Sequence, residues 1–259
     1  MSSSAQKTVR ASIAGPERIR AALAAGAPVQ LILIARDESD GELLALAASA
    51  EQAGVTLWRG SAGDLERMSH GAQPERILAL LGPAIDVDLD GLCARGGALW
   101  LLHRAAYPSN VGFAVRTAEV SGAEGVVVDA RFNHDERSRV SHVSMGADRV
   151  MPVLWASTEQ TVTAARSAGL RVIALEAIDH VRAVPLWEVD LTGGVLLVAG
   201  NEREGVSAKL LAQCDALASI PMAGFVPSYN LHAAIAAVAA ERLRQLAMQA
   251  GQKPAHSNH

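Results

Sequence analysis

Ser228 and Asn230 stand two residues apart where a loop becomes an alanine-rich helix. Within residues 219–241, SIPMAGFVPSYNLHAAIAAVAAE, a short apolar run ends in Ile220-Pro221-Met222. The loop then carries Gly224, Pro227, Ser228, Tyr229 and Asn230. At such a junction polar side chains and the unpaired N–H groups of a helix start can converge on a ligand. The simpler reading is an N-cap, the commonest use of Ser or Asn before an apolar-periodic run. Which one holds depends on the other loops that the fold brings alongside.

The flanking elements are legible. Pro16 opens the helix PERIRAALAAG, and QLILIA (residues 30–35) is a near-continuous apolar run suited to a buried strand. A second helix ELLALAASAEQAG, a strand at 55–58, a helical turn at 63–68 and a strand at 77–81 complete the first part. This order predicts a small three-layer α/β domain, with residues 1–14 frayed ahead of it. Residues 82–95, GPAIDVDLDGLCAR, read as a linker. Beyond them the pattern predicts strands at 97–102, 125–128, 150–154, 171–175, 195–199 and 216–220. Helices are expected at 111–121, 133–143, 207–214 and 231–250, with a further one opened by the capping box Ser157–Gln160. Repeated strand-helix-strand units imply a mostly parallel sheet covered on both faces. The resulting division is 1–94, 95–250 and a disordered tail at 251–259.

Ligands of open parallel sheets lie off the carboxyl ends of the strands. Three loops qualify: those around Asn110 and Gly200, and the one within residues 219–241. No GxGxxG and no Walker loop follows a strand, which excludes the ordinary dinucleotide and nucleotide triphosphate sites. Two cysteines, Cys93 and Cys214, make neither a disulfide framework nor a metal quartet, so no metal is expected. No apolar run is long enough to cross a bilayer, and nothing behind MSSSAQKTVR resembles a signal peptide. A cytoplasmic setting is expected. The net charge of −4 argues against a non-specific nucleic-acid binder, while leaving room for a local basic patch. The cations are nearly all arginine, whose planar fork suits phosphate.

Three stretches then carry a family resemblance. Residues 101–125, with Pro108, Asn110-x-Gly112 and Arg116-Thr117-Ala118, resemble the first motif of the SpoU (TrmH-like) RNA ribose methyltransferases. Residues 196–207, LLVAGNEREGVS, are similar to the second, and Ile220-Pro221-Met222-x-Gly224 with Ser228-x-Asn230 to the third. The resemblance covers residues 95 to about 247. It implies a SPOUT fold: a parallel sheet whose C-terminal segment threads a trefoil knot, working as a homodimer. It also implies S-adenosylmethionine as cofactor, with Gly200, Ile220, Met222 and Tyr229 at cofactor-binding positions. The reaction implied is methyl transfer to a ribose 2′-hydroxyl of ribosomal or transfer RNA.

The methyl of that cofactor is already activated, so catalysis reduces to positioning and to removing the hydroxyl proton. Arg116 would hold the phosphate beside the target ribose, and Asn110, Glu202, Ser228 and Asn230 would orient both by hydrogen bonds. The plainer alternatives are a cap for Asn110, an ion pair with Glu119 for Arg116, and one with Arg203 or Arg242 for Glu202. His103 and Tyr107 stand where the family often has aspartate, Tyr229 where it has leucine, and Leu231-His232 where it has Val-Ser. His232 on the last helix is expected to pack rather than to move protons. The first part resembles the family's RNA-binding module, with Arg18, Arg20, Arg36, Arg59, Arg67 and Arg76 available to RNA. Two other functions fit the same residues: transfer to a different acceptor, and RNA binding by a dimer without turnover.

Overall fold

The computed structural model describes residues 10–69, 75–175, 182–226 and 228–251. The chain divides into two compact units, residues 1–86 and 87–259. The expected disordered tail beyond residue 251 lies outside the described residues, as do residues 1–9 of the expected frayed start.

The first unit runs β1 (Ala11–Ala14), α1 (Pro16–Ala24), β2 (Val29–Ala35), α2 (Gly41–Gln52), β3 (Thr56–Gly60), α3 (Ala62–Met68) and β4 (Ile77–Leu81). Its sheet has the order β1-β4-β2-β3, with β3 parallel to β2 and β4 antiparallel to both of its neighbours. Residues 11–14 are therefore not frayed. Short as ASIA is, it pairs along the whole of its length with β4, whose edge would otherwise be open. On β2, Ile32 and Ile34 are buried with Ile19 of α1 and with Leu43 and Leu46 of α2. Alternation turns Leu31 and Leu33 to the opposite face. The side chains of Ser61 and Asp64 cap the start of α3 reciprocally.

The second unit contains α4 (Leu89–Cys93), β5 (Ala98–His103), α5 (Pro108–Val120), β6 (Gly125–Asp129) and α6 (His134–Ser144). It continues through β7 (Val153–Trp155), α7 (Thr158–Ser167), β8 (Arg171–Leu175), β9 (Ala183–Pro185) and β10 (Val195–Ala199). The last elements are α8 (Ala208–Leu211), β11 (Ala216–Ser219) and α9 (Leu231–Gln249). The seven strands are all parallel, in the order β7-β6-β5-β10-β8-β11-β9. On β5, Trp100 and Leu102 pack with α5 and α9, whereas Leu99 and Leu101 pack with α4, α7 and α8. This two-residue alternation is why the strand reads as continuously apolar: both faces are covered.

Several boundaries differ from the sequence reading. The expected linker holds α4, capped by Asp88 and anchored by buried Leu92 and Cys93. Its aspartates look like loop residues in sequence but act as a helix start. Strand β9 is short and ends at Pro185, too weak a signal to stand out. The expected loop at 107–110 is already helix: Tyr107 is the N-cap and Pro108 the first residue of α5, a position where proline loses no hydrogen bond.

Two sets of helix contacts set the site's frame. Helix α9 buries Ile235, Val238, Ala239 and Arg242, three and four residues apart. The Arg242 guanidinium donates to the carbonyls of Leu191 and Gly193, and Gln245 Nε2 donates to Val189 O at 2.9 Å. Helix α5 meets α6 at Gly112, where an added Cβ would lie 2.6 Å from Val143 Cβ and 2.8 Å from the Val140 carbonyl oxygen. Gly112→Ala is expected to lower stability by about 2–3 kcal/mol, the cost of overpacking against backbone, read as a reduced urea midpoint at unchanged slope.

Candidate active site

Strands β5 and β10 are neighbours whose following helices leave to opposite faces: α5 joins the core with α9, and α8 the core with α7. A crevice opens at such a divergence, beyond the carboxyl ends of the two strands. The residues expected from three separate stretches meet there. Glu202 Oε1 accepts from Asn110 Nδ2 at 2.9 Å, and Glu202 Oε2 accepts from the Ala106 N–H at 2.9 Å. Asn110 Oδ1 accepts from Asn230 Nδ2 at 3.4 Å. Asn230 Oδ1 in turn accepts from the His232 N–H at 3.0 Å and from His232 Nδ1 at 2.7 Å. Because that amide oxygen has no proton to give, His232 Nδ1 must be the donor. Every bond of the chain His232–Asn230–Asn110–Glu202 thus points toward the carboxylate.

The plainer roles are partly displaced by this geometry. Asn230 is the N-cap of α9 and a member of the chain at once. Asn110 is not a cap; it lies in the first turn of α5 and gives its amide to Glu202. Glu202 bonds Asn110 and Ala106 instead of pairing with Arg203 or Arg242.

Beside the chain lies a cavity of about 380 Å³ whose walls include Gly200, Glu202, Ile220, Met222, Ser228 and Tyr229. Leu175, Ala199, Ala218 and Leu231 make its interior apolar. This is the form of a small-molecule site: apolar walls with a few polar groups at one side. All four expected cofactor positions line it. Tyr229 also donates its hydroxyl to the Pro221 carbonyl at 3.2 Å, bracing one end of the loop against the other. Gly200 lets the 200–205 loop close, since an added Cβ would sit 2.4 Å from the carbonyl carbon of Gly205.

Arg116 is not brought to this cavity. It lies six residues beyond Asn110 on α5, which at 100° per residue turns it well away around the helix. It lines a separate groove of about 460 Å³ between α5 and α9, with Phe113, Val120, His232, Ala236 and Leu243. Its guanidinium donates to Met145 Sδ at 2.7 Å. His232 packs in the same groove, its ring centre 5.0 Å from that of Phe113.

Other residues near the crevice stand out in sequence only as departures from the family pattern, with no site role of their own. Asn201 Nδ2 donates to the Arg104 carbonyl at 2.6 Å, while its Oδ1 caps the N–H groups of Arg203 and Glu204. Arg104 has the left-handed φ of 53°, uncommon outside glycine, and pairs with Glu204 at 2.9 Å. Arg203 reaches across to Tyr107. On the other face of the sheet, Thr158 Oγ1 donates to Asp129 at 2.6 Å and so must accept from His103 Nδ1, also 2.6 Å away. Burial pushes the His103 pKa down, which keeps the ring neutral. The surplus of polar residues in GNEREG and the histidine ending an apolar strand were the available signals.

Neither cysteine takes part. Burial, with Asp90 or Asp215 nearby, pushes the thiols of Cys93 and Cys214 up to about 11, so both stay protonated and inert. Among the described residues, no group of three His, Cys, Asp or Glu is placed to hold a metal ion. None of the described helices is long and apolar enough to cross a membrane.

Residues 99–240 match the model of the SpoU rRNA Methylase family. The chain is 29% identical over 245 residues to the 23S rRNA (guanosine-2′-O-)-methyltransferase RlmB of Photobacterium profundum, covering 90% of this chain and 97% of that one. It is 31% identical over 215 residues to an uncharacterized tRNA/rRNA methyltransferase of Mycobacterium sp. (strain KMS), covering 80% of this chain and 68% of that one. Among solved structures, the AdoMet-bound rRNA methyltransferase from Sinorhizobium meliloti shares the fold with a TM-score of 0.59 at 22% identity, over 92% of this chain and 88% of that one. The SpoU methyltransferase AviRb from Streptomyces viridochromogenes superposes with a TM-score of 0.56 at 25% identity, over 94% and 91%. With the family model matching more than half of the residues, and with the three loops converging on one crevice, the chain belongs to the SpoU rRNA methylase family.

Proposed function

We propose that this chain transfers the methyl group of S-adenosylmethionine to a ribose 2′-hydroxyl of ribosomal RNA. The observation that carries the reading is the junction of two features. The Asn230–Asn110–Glu202 chain ends at Glu202, which lines an apolar cavity whose walls also include Gly200, Ile220, Met222 and Tyr229. The cavity suits the cofactor: Ile220, Met222 and Leu231 offer apolar surface to an adenine ring, and the loop after Gly200 brings backbone groups close. When bound, S-adenosylmethionine supplies a methyl group already activated by its attachment to a sulfonium. The protein's residues then have three tasks: hold the ribose, hold the neighbouring phosphate, and favour loss of the hydroxyl proton. Asn110 and Asn230 are oriented by Glu202 and present amides to the ribose, with Ser228 beside them on the cavity wall. Arg116 is the phosphate-holding group.

Because Arg116 faces the α5/α9 groove, that role goes with a homodimer in which a second copy covers the groove. Exposed Phe113, Val120 and Leu243 on one surface support such cover. The C-terminal segment is proposed to pass through a trefoil knot, as the resemblance implies. The first unit is proposed as the RNA-binding module. There Arg20 pairs with Glu17 and Glu42, Arg67 with Asp64 and Arg76 with Glu38, so of the six arginines named above Arg18, Arg36 and Arg59 are left for phosphate. The setting is the cytoplasm, where such RNA is found.

Ribosomal RNA is favoured over transfer RNA by the near full-length similarity to the Photobacterium protein. The test is to incubate the purified chain with methyl-labelled S-adenosylmethionine and 23S ribosomal RNA transcribed in vitro, then to map the label. Label in alkali-resistant dinucleotides is the expected result. Label on a base, or transfer to transfer RNA alone, would overturn the assignment.

A further inference from the structure

Arg203 stands at the cavity wall, and neither acidic chain neighbour pairs with it. The two carboxylate oxygens of Glu202 accept from Asn110 and Ala106, and Glu204 pairs with Arg104. Arg203 turns instead to a neutral acceptor. Its Nε and Nη2 both donate to the phenolic oxygen of Tyr107, at 3.0 and 2.6 Å. The guanidinium carbon also lies 5.5 Å from the centre of that ring.

A phenol oxygen can align a guanidinium but cannot neutralise it. Two of the five guanidinium N–H groups are used and the others remain free to donate. Tyr107 keeps its own O–H, which Arg203, having no acceptor, cannot take. The pair therefore offers a full positive charge and a set of oriented donors at an exposed rim. The loop that carries Arg203 is stiff. Asn201 Oδ1 accepts from the N–H groups of Arg203 and Glu204, at 2.8 and 3.0 Å, and Asn201 and Gly205 exchange two backbone hydrogen bonds. Planar donors fixed on a stiff loop are the arrangement that suits a phosphate oxygen.

We propose that Arg203, aligned by Tyr107, binds a phosphodiester oxygen of the RNA beside the nucleotide being methylated. The inference rests on the RNA-methylation reading and adds to it a second phosphate contact, on a different surface from Arg116. The competing oxyanion is the carboxylate of S-adenosylmethionine. Exposure favours the phosphate: Arg203 and Tyr107 are both open to solvent, while the apolar walls that suit the cofactor lie inside.

The test compares the full chain with Arg203→Ala, Arg203→Lys and Tyr107→Phe. Binding of in-vitro-transcribed 23S ribosomal RNA is measured across a salt series, and binding of S-adenosylmethionine by calorimetry. Arg203→Ala is expected to weaken RNA binding about tenfold and to reduce the log–log salt slope by about one, the signature of one lost phosphate contact. Its S-adenosylmethionine affinity should stay within about twofold of the parent. Arg203→Lys should keep the slope, since the charge remains, and Tyr107→Phe should weaken RNA binding about threefold with the slope kept. An unchanged slope and RNA affinity in Arg203→Ala would overturn the proposal. So would a roughly tenfold loss of S-adenosylmethionine affinity with RNA binding intact, which assigns Arg203 to the carboxylate. Absence of methyl transfer by the parent chain on the same RNA sinks the RNA-methylation reading instead, and the salt slopes still decide Arg203 on binding alone.

Discussion

Gly200→Ala is expected to abolish S-adenosylmethionine binding, with a loss of at least about a hundredfold in affinity. The cause is steric. The added Cβ would lie 2.4 Å from the carbonyl carbon of Gly205, 2.6 Å from Val206 N and 2.7 Å from Gly205 O. All three atoms are backbone, so no side chain can swing aside. Relief requires the loop to open, and that breaks the paired hydrogen bonds between Asn201 and Gly205. It also displaces Glu202, and with it the anchor of Asn110. Gly224→Ala is the control, because it lies on the neighbouring loop and meets nothing within 4 Å. Calorimetric titration of both variants checks the prediction; cofactor affinity retained by Gly200→Ala would show that the loop can yield.

The second large effect is at Arg116. Arg116→Ala is expected to reduce methyl transfer by about 10²–10³-fold, the usual cost of removing one electrostatic contact to the reacting centre. Folding should be untouched. The side chain is exposed on α5, and its hydrogen bond is to the sulfur of Met145, a weak acceptor. Arg116→Lys should restore little, because a point charge lacks the planar fork that holds two phosphate oxygens. Single-turnover kinetics with saturating RNA separates this from weakened binding, and a melting curve matching the parent excludes misfolding. Full turnover by Arg116→Ala would remove Arg116 from the mechanism and leave the cavity-side residues to act alone.

Much of the local structure was legible because short-range chemistry writes it. The Ser157–Gln160 capping box is present as expected, the strand at 171–175 has the expected limits, and the prolines and glycines mark helix ends where they should. Where local signals compete, only packing decides between them. The aspartates of 82–95 spell both a turn and a helix cap, and the burial of Leu92 and Cys93 decided for the helix. The polarity of residues 107–110 suggested a loop, yet proline at the first turn starts α5 two residues before Asn110.

For the site the division is sharper. Spacing and residue type were enough to mark three loops, and the resemblance named the residues on them: Asn110, Arg116, Gly200, Glu202, Ile220, Met222, Ser228, Tyr229 and Asn230. Their grouping was not in the spacing. Asn110 and Glu202 are 92 residues apart, and Asn230 is 120 from Asn110. They meet because β10 inserts between β5 and β8, a strand order that no local periodicity encodes. Strand pairing also sets which way each following helix leaves, and so opens the crevice where Glu202 receives Asn110. Helical geometry then splits two residues that sequence placed together: Asn110 faces the crevice and Arg116 the α5/α9 groove. The sequence by itself determined the elements and the chemistry available on them, because those depend on neighbours a few residues away. Tertiary structure alone decided which groups share a surface, because that depends on contacts between segments far apart in the chain.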